Sequence, residues 1–179
     1  MTCIVGISKD GRCYIGGDSA GADSSRMQII GRADQKVFQT GAFVMGFTTS
    51  FRMGQLLNYS FSAPAPRDGV SLMAYMSTDF VDAVRTCLKA GGFAKKESEN
   101  EVGGTFLVGF RGQLFTIYSD YQVEQCLDGF QSVGCGDLIA LGSLYETKKE
   151  EPEKRILKAL AAAEHFSAGV RGPFNVVYA

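Results

Sequence analysis

The sequence contains a single histidine, His165, so a multi-histidine zinc site is excluded and any Ser-His-Asp or Cys-His relay would have to pass through that residue. His165 lies in the apolar, alanine-rich stretch Lys158 to Phe166, where a helix-face histidine packs or is solvated, and it is assigned no role. The five cysteines, Cys3, Cys13, Cys87, Cys126 and Cys135, include no Cys-x-x-Cys pair, and an odd number cannot all pair within one chain. Reduced thiols are expected. No apolar run reaches the ~18 to 20 residues of a membrane helix, and the opening Met1-Thr2-Cys3-Ile4-Val5-Gly6 lacks the basic segment and apolar core of a signal peptide. Neither sign of charge dominates: 18 Lys+Arg stand against 19 Asp+Glu, a net of -1, which leaves no footprint for nucleic acid or a membrane surface. A cytoplasmic location is expected. The nucleotide-binding pattern Gly-x-x-x-x-Gly-Lys-Ser/Thr, internal repeats and low-complexity tracts are all missing.

What is present is one domain's worth of chain, residues 1–179, with 45% hydrophobic and 21% charged residues. Cys3 to Ile7 reads as a buried strand, Lys9-Asp10-Gly11 as a turn, and Cys13-Tyr14-Ile15 as a second strand running into Gly16-Gly17-Asp18. Ser19 to Gly31, rich in Gly, Ser and Asp, has the chemistry of a loop, and Lys36 to Phe47 that of a second hairpin. Thr48-Thr49-Ser50 caps a helix that ends by Ala63-Pro64-Ala65-Pro66. A second helix spans Val70 to Ala90, with Leu72, Met76, Phe80, Val84 and Leu88 spaced by four, and the charged Lys95 to Glu101 follows as a surface loop. Thr105 to Phe110, Leu114 to Tyr118 and Tyr121 to Leu127 read as a meander, followed by Phe130 to Val133 and Gly134-Cys135-Gly136. Helices Asp137 to Tyr145 and Glu151 to Phe166 and a last strand, Phe174 to Tyr178, complete the chain. Grouped rather than alternating elements predict an α+β fold with mainly antiparallel sheets, each covered by a helix pair.

Thr2 is the most informative residue. Methionine aminopeptidases remove Met1 when the second residue is as small as threonine, and an exposed N-terminal threonine holds two catalytic groups. Its Oγ1 attacks, and its α-amine, with an ordinary pKa of about 7.7 to 8.0, takes the proton. A nearby ammonium would lower the amine's pKa and a carboxylate would hold that ammonium in place; Lys36 and Asp18 are the candidates. Taken singly, Thr2 is a common second residue, Asp18 a strand terminator and Lys36 a solvated hairpin charge. Cys3 offers a rival nucleophile, but strand alternation turns it to the opposite face from Thr2, into the core. Cys135 reads as a packed thiol in a tight turn.

Taken together, Thr2-Cys3-Ile4-Val5-Gly6-Ile7, Gly16-Gly17-Asp18-Ser19-Ala20 and Lys36-Val37 resemble the proteasome β-subunit family, and within it the bacterial HslV-like N-terminal nucleophile hydrolases. The likeness extends through Gly134-Cys135-Gly136 to the terminal strand near Gly172, so it spans the whole chain. It implies a four-layer αββα sandwich and a threonine-type peptidase. Thr2 would be nucleophile and base, Asp18 and Lys36 would set its ionisation, and a backbone N–H near Thr49 would stabilise the oxyanion. Cys135 stands where the family has a supporting serine. The resemblance also implies no required cofactor, a monovalent cation such as Na+ held by carbonyls around Gly172, Asn175 and Tyr178, a ring or double-ring homo-oligomer, an unfoldase ATPase partner and unfolded polypeptide substrates.

The departures are specific. Phe47-Thr48-Thr49-Ser50 replaces a Gly-Gly pair, Cys135 is a weaker hydrogen-bond group than serine, and Ser167 and Val170 stand nearest the Asp and Ser that eukaryotic subunits carry before the final strand. They motivate two other readings: a silent structural or assembly subunit, and a small-molecule amidase of the same superfamily.

Overall fold

In the computed structural model, which describes residues 1–23, 28–93, 95–97 and 100–179, the chain folds into two antiparallel sheets between two helical layers. Strands β1 (Cys3–Lys9) and β2 (Arg12–Gly17) form the first hairpin, turned by Asp10 and Gly11 at φ 52° and 76°, the left-handed pair that Asp-Gly supplies. β13 (Asn175–Tyr178) pairs with β2, and β12 (Phe130–Gly134) pairs with β1, giving the order β12-β1-β2-β13. The second sheet holds β5 (Val37–Thr40), β6 (Phe43–Phe47), β9 (Phe106–Phe110), β10 (Gln113–Ile117) and β11 (Val123–Gln125), in the order β11-β10-β9-β6-β5.

Burial along β1 shows why the layers stack. Ile4, with Ile15 of β2, faces the second sheet and clusters there with Val37, Val44, Leu107 and Leu114. Its neighbours Cys3, Val5 and Ile7 face the opposite way, onto Ala140 and Leu144 of α4 (Asp137–Glu146) and Ile156, Ala159 and Leu160 of α5 (Pro152–Phe166). A strand buried on both faces reads as a continuous apolar run, as Cys3 to Ile7 does. The outer face of the second sheet packs Met45, Phe47 and Phe110 against Met53 and Leu57 of α1 (Phe51–Tyr59) and Val84 and Leu88 of α3 (Val81–Ala90). The layer order is therefore αββα, as expected.

Three expectations need correction, and the sheet of one strand, open in the sequence, is settled. The segment expected as a loop from Ser19 to Gly31 carries β3 (Ala20–Asp23) paired with β4 (Gln28–Gly31); residues 24–27 of it lie outside the described residues. Its small, polar composition conceals a ribbon that buries little apolar surface. The loop expected from Lys95 to Glu101 likewise contains β7 (Lys95–Glu97) and β8 (Asn100–Val102), with 98–99 outside the described residues. β12 belongs to the first sheet, because its partner is β1, more than a hundred residues earlier in the chain. The helix expected over Val70 to Ala90 starts at Leu72 behind the Ser71 cap and runs as α2 (Leu72–Tyr75), a π turn at Met76–Phe80, and then α3. A strict spacing of four drifts about 40° per step on a 3.6-residue helix, and the wider π turn takes up that drift. Met76, Phe80, Val84 and Leu88 all end fully buried.

The two sheets approach closely at Gly109 on β9, where an added Cβ would sit 2.3 Å from the Cβ of Cys13 on β2. Gly109→Ala is expected to cost about 1 to 3 kcal/mol by overpacking. Urea unfolding of the variant checks this, and an unchanged midpoint would show that the sheets part freely there.

Candidate active site

Thr2 is drawn into the end of the sandwich by main-chain contacts on both sides. Its carbonyl accepts from Gly136 N at 3.4 Å, and its N–H donates to Cys135 Sγ at 3.3 Å. This approach depends on Gly134, at φ 110°, since a Cβ there would lie 2.2 Å from the Thr2 carbonyl oxygen. Asp18 directly follows β2, and Lys36 leads into β5 of the other sheet. Lys36 Nζ donates to Asp18 Oδ1 at 2.9 Å and to Thr2 Oγ1 at 3.0 Å. Its third acceptor is the Met1 carbonyl at 3.5 Å, to which Thr2 Oγ1 also donates.

The pair is deeply buried, at 1% side-chain exposure for Lys36 and 0% for Asp18. Burial lowers the Lys36 pKa from its ordinary 10.5, and the Asp18 carboxylate opposes that shift only in part. Asp18 is itself held by three backbone donors: Cys3 N to Oδ1 at 2.9 Å, and Ala20 N and Arg171 N to Oδ2 at 3.0 and 3.3 Å. Thr2, Asp18 and Lys36 thus meet in one buried cluster.

Thr49 stands across a pocket of about 100 Å³ that Thr2, Met1, Ala22 and Phe51 also line. Its φ of 63° is the left-handed conformation that a glycine adopts without strain and a β-branched residue rarely does. The strain is held by Thr49 Oγ1, which accepts from Thr105 N at 3.1 Å, and by Thr48 N, which donates to the Thr105 carbonyl at 3.0 Å. Thr49 N–H has no acceptor among the described residues. A second hollow of about 230 Å³ shares Ala22 and Phe51 and continues to Ile30 and Arg32, whose guanidinium lies 3.8 Å over the Phe51 ring.

Cys135 is exposed rather than packed, with its Sγ 3.4 Å from Ser167 Oγ. Val170 is buried in the α5 core and offers the site no polar group. Cys3 points away from Thr2, as alternation requires, and burial pushes its thiol up to about 12, which removes it as a nucleophile. His165 lies exposed on α5, edge-on to Phe166. Asn175 and Tyr178 stand at the two ends of β13, and Gly172 N donates to Glu164 Oε1 at 2.9 Å. Sequence reasoning passed over Arg171 and Phe51. Arg171 serves through its backbone, which no residue type signals, and Phe51 reads simply as the first apolar residue of a helix.

No protein-family model and no curated protein matches this sequence. Solved structures do. The BPH of Thiobacillus denitrificans, in complex with epoxomicin, superposes with a TM-score of 0.80 at 19% identity, over 99% of this chain and 98% of that one. The eukaryotic HslV of Trypanosoma brucei gives 0.68 at 14% identity over 99% and 98%, and Anbu, an ancestral β-subunit, from Yersinia bercovieri gives 0.66 at 13% over 99% and 81%. The chain has the proteasome-like fold. Among the described residues of this proteasome-like chain, no helix is long and apolar enough to cross a membrane, and no cluster of three His, Cys, Asp or Glu could hold a metal.

Removing Asp18 would strand the Lys36 ammonium in the interior. Asp18→Ala is expected to lose about 3 to 5 kcal/mol, with part of the loss recovered in Asp18→Ala/Lys36→Met. Chemical denaturation of both variants checks it, and a double variant no more stable than the single one would show that the ion pair does not set the cost.

Proposed function

We propose that the chain is a threonine-type peptidase that cuts amide bonds through an ester formed on Thr2, once Met1 is removed. The observation that carries the reading is the buried contact of Lys36 Nζ with both Thr2 Oγ1 and Asp18 Oδ1. In this mechanism Thr2 Oγ1 attacks the substrate carbonyl carbon and passes its proton to the freed α-amine. The Lys36 ammonium keeps that amine's pKa down, so that it is neutral enough to act as base, and Asp18 keeps the ammonium in place. Thr49 N–H supplies the oxyanion donor, being an oriented backbone donor on the same pocket as Thr2. The tetrahedral intermediate expels the amine of the product, which takes up the proton, and water then hydrolyses the Thr2 ester. Cys135 is a positioning residue whose Sγ accepts from the Thr2 nitrogen. The chemistry requires no cofactor.

The assembly belongs to the same proposal. Copies of the chain close into a ring or double ring in the cytoplasm, whose chamber admits only unfolded polypeptides delivered by an unfoldase ATPase. Likeness to an ancestral β-subunit and to HslV supports this part of the reading.

Intact mass before and after epoxomicin, the compound bound to the similar Thiobacillus denitrificans protein, tests the chemistry. Loss of Met1 with one adduct, abolished in Thr2→Ala, is the expected result. A chain that keeps Met1, or loses it and forms no adduct, makes the silent subunit the better reading; an adduct on a monomer favours the small-molecule amidase.

The pH dependence follows from Lys36. The ammonium also donates to Thr2 Oγ1 and eases loss of the hydroxyl proton. Because burial lowers the Lys36 pKa, this charge is lost before the ordinary 10.5 is reached, so the rate of adduct formation should fall on an alkaline limb below that value. A limb at or above 10.5 would remove Lys36 from its assigned role.

A further inference from the structure

The loop that carries Thr49 leaves the second sheet by an exchange of hydrogen-bond partners. Continued by one residue, the register of β6 on β9 would set Thr48 opposite Thr105, as a pair that shares two backbone bonds. Only one of them is made. Thr48 N donates to the Thr105 carbonyl at 3.0 Å, but the Thr48 carbonyl turns to Ser50 N at 2.7 Å, which closes a three-residue turn on Thr49. With φ 63° at its centre this is the strained γ-turn. The Thr105 N–H, left without the Thr48 carbonyl, donates to Thr49 Oγ1 at 3.1 Å. Gly104 makes the room, since a Cβ there would lie 3.0 Å from that of Thr49.

We infer that the side chain of Thr49 is the positioning group for the oxyanion donor: its hydroxyl takes the place of the Thr48 carbonyl against Thr105 N and so sets the direction of the Thr49 N–H. A peptide unit is planar and trans, so the Thr48 carbonyl and the Thr49 N–H point in opposite directions and can only turn together. While the hydroxyl occupies Thr105 N, the carbonyl bonds Ser50 N and the N–H is aimed accordingly. Without the hydroxyl, Thr105 N reclaims the carbonyl, the peptide unit swings round, and the donor leaves its direction. Both flanks of the turn are fixed. Phe47 N donates to the Lys36 carbonyl at 3.0 Å, and the Ser50 side chain caps α1 by accepting from Arg52 N and Met53 N. The hydroxyl thus decides the orientation of the one peptide unit left free between Lys36 and the helix. The inference rests on the reading of Thr2 as nucleophile and of the Thr49 N–H as oxyanion donor.

Adduct formation with epoxomicin, followed by intact mass over a range of concentrations, separates the saturating rate from the half-saturating concentration. In Thr49→Val, where a methyl group of similar size replaces the hydroxyl, the saturating rate is expected to fall about ten- to a hundred-fold at an unchanged half-saturating concentration. Thr49→Ser keeps the hydroxyl and should recover most of that rate. Thr49→Gly lacks it but takes a positive φ without strain, so it should react faster than Thr49→Val. A crystal structure of Thr49→Val should show the Thr48 carbonyl turned to Thr105 N. Thr49→Val at the wild-type saturating rate or with the turn intact, or Thr49→Gly as slow as Thr49→Val, would overturn the positioning role and leave the peptidase reading standing. A wild type that forms no adduct would overturn the peptidase reading and the role with it.

Discussion

The ion pair between Lys36 and Asp18 is the constraint around which the end of the sandwich is organised. Two opposite charges almost wholly removed from water are tolerated only when attraction and hydrogen bonds together offset their lost hydration. Here the partners of the carboxylate are drawn from several parts of the chain. Cys3 lies on the first strand, Ala20 just beyond the second, Arg171 just before the last, and Lys36 at the edge of the other sheet. Satisfying this one pair therefore fixes the relative positions of both sheets at the end where Thr2 lies. The same arrangement leaves the ammonium aimed at the Thr2 hydroxyl.

The glycines at the turn before α4 complete that arrangement from the other side. Gly134 lets the backbone pass against the Thr2 carbonyl, which brings Cys135 to the Thr2 nitrogen and Ser167 to Cys135. Where a serine hydroxyl would donate and accept strongly, a thiol does both weakly. The Thr2 nitrogen is thus held more by main-chain geometry than by its side-chain neighbour.

Much of this was legible in the sequence because the decisive signals are local. The apolar run Cys3 to Ile7, the Asp-Gly turn, the Ser50 cap and the four-residue spacing from Leu72 to Leu88 each identify an element without reference to the rest of the chain. The segments around Thr2, Asp18 and Lys36 pointed to the cluster through their resemblance to the proteasome β-subunit family. What escaped notice is what distant partners decide. β12 takes its place from β1, the β3–β4 ribbon has too little apolar surface to announce itself, and the Arg171 donor belongs to the backbone. The loop at Thr49 teaches a different lesson. A threonine pair in place of two glycines argues against a left-handed turn, yet the turn is there, because Thr49 Oγ1 and its neighbour's N–H are both tied to Thr105. Tertiary hydrogen bonds supply what residue preference withholds.

Met1 shows how the cluster responds when its N-terminal neighbour leaves. With Met1 present, the three N–H groups of Lys36 have three acceptors: Asp18, Thr2 Oγ1 and the Met1 carbonyl. Removal of Met1 deletes the third acceptor and exposes a new amine in the same few ångströms. The ammonium then has one carboxylate, one hydroxyl and an unused donor, in a place where burial already penalises its charge. An amine formed beside such a cation is driven towards its neutral form, because two positive charges at that separation in a dry site repel strongly. The neutral amine is the form that can take the Thr2 proton. One cleavage before Thr2 would therefore create the base, clear the pocket that Met1 lines and leave Lys36 poised to hold that base neutral.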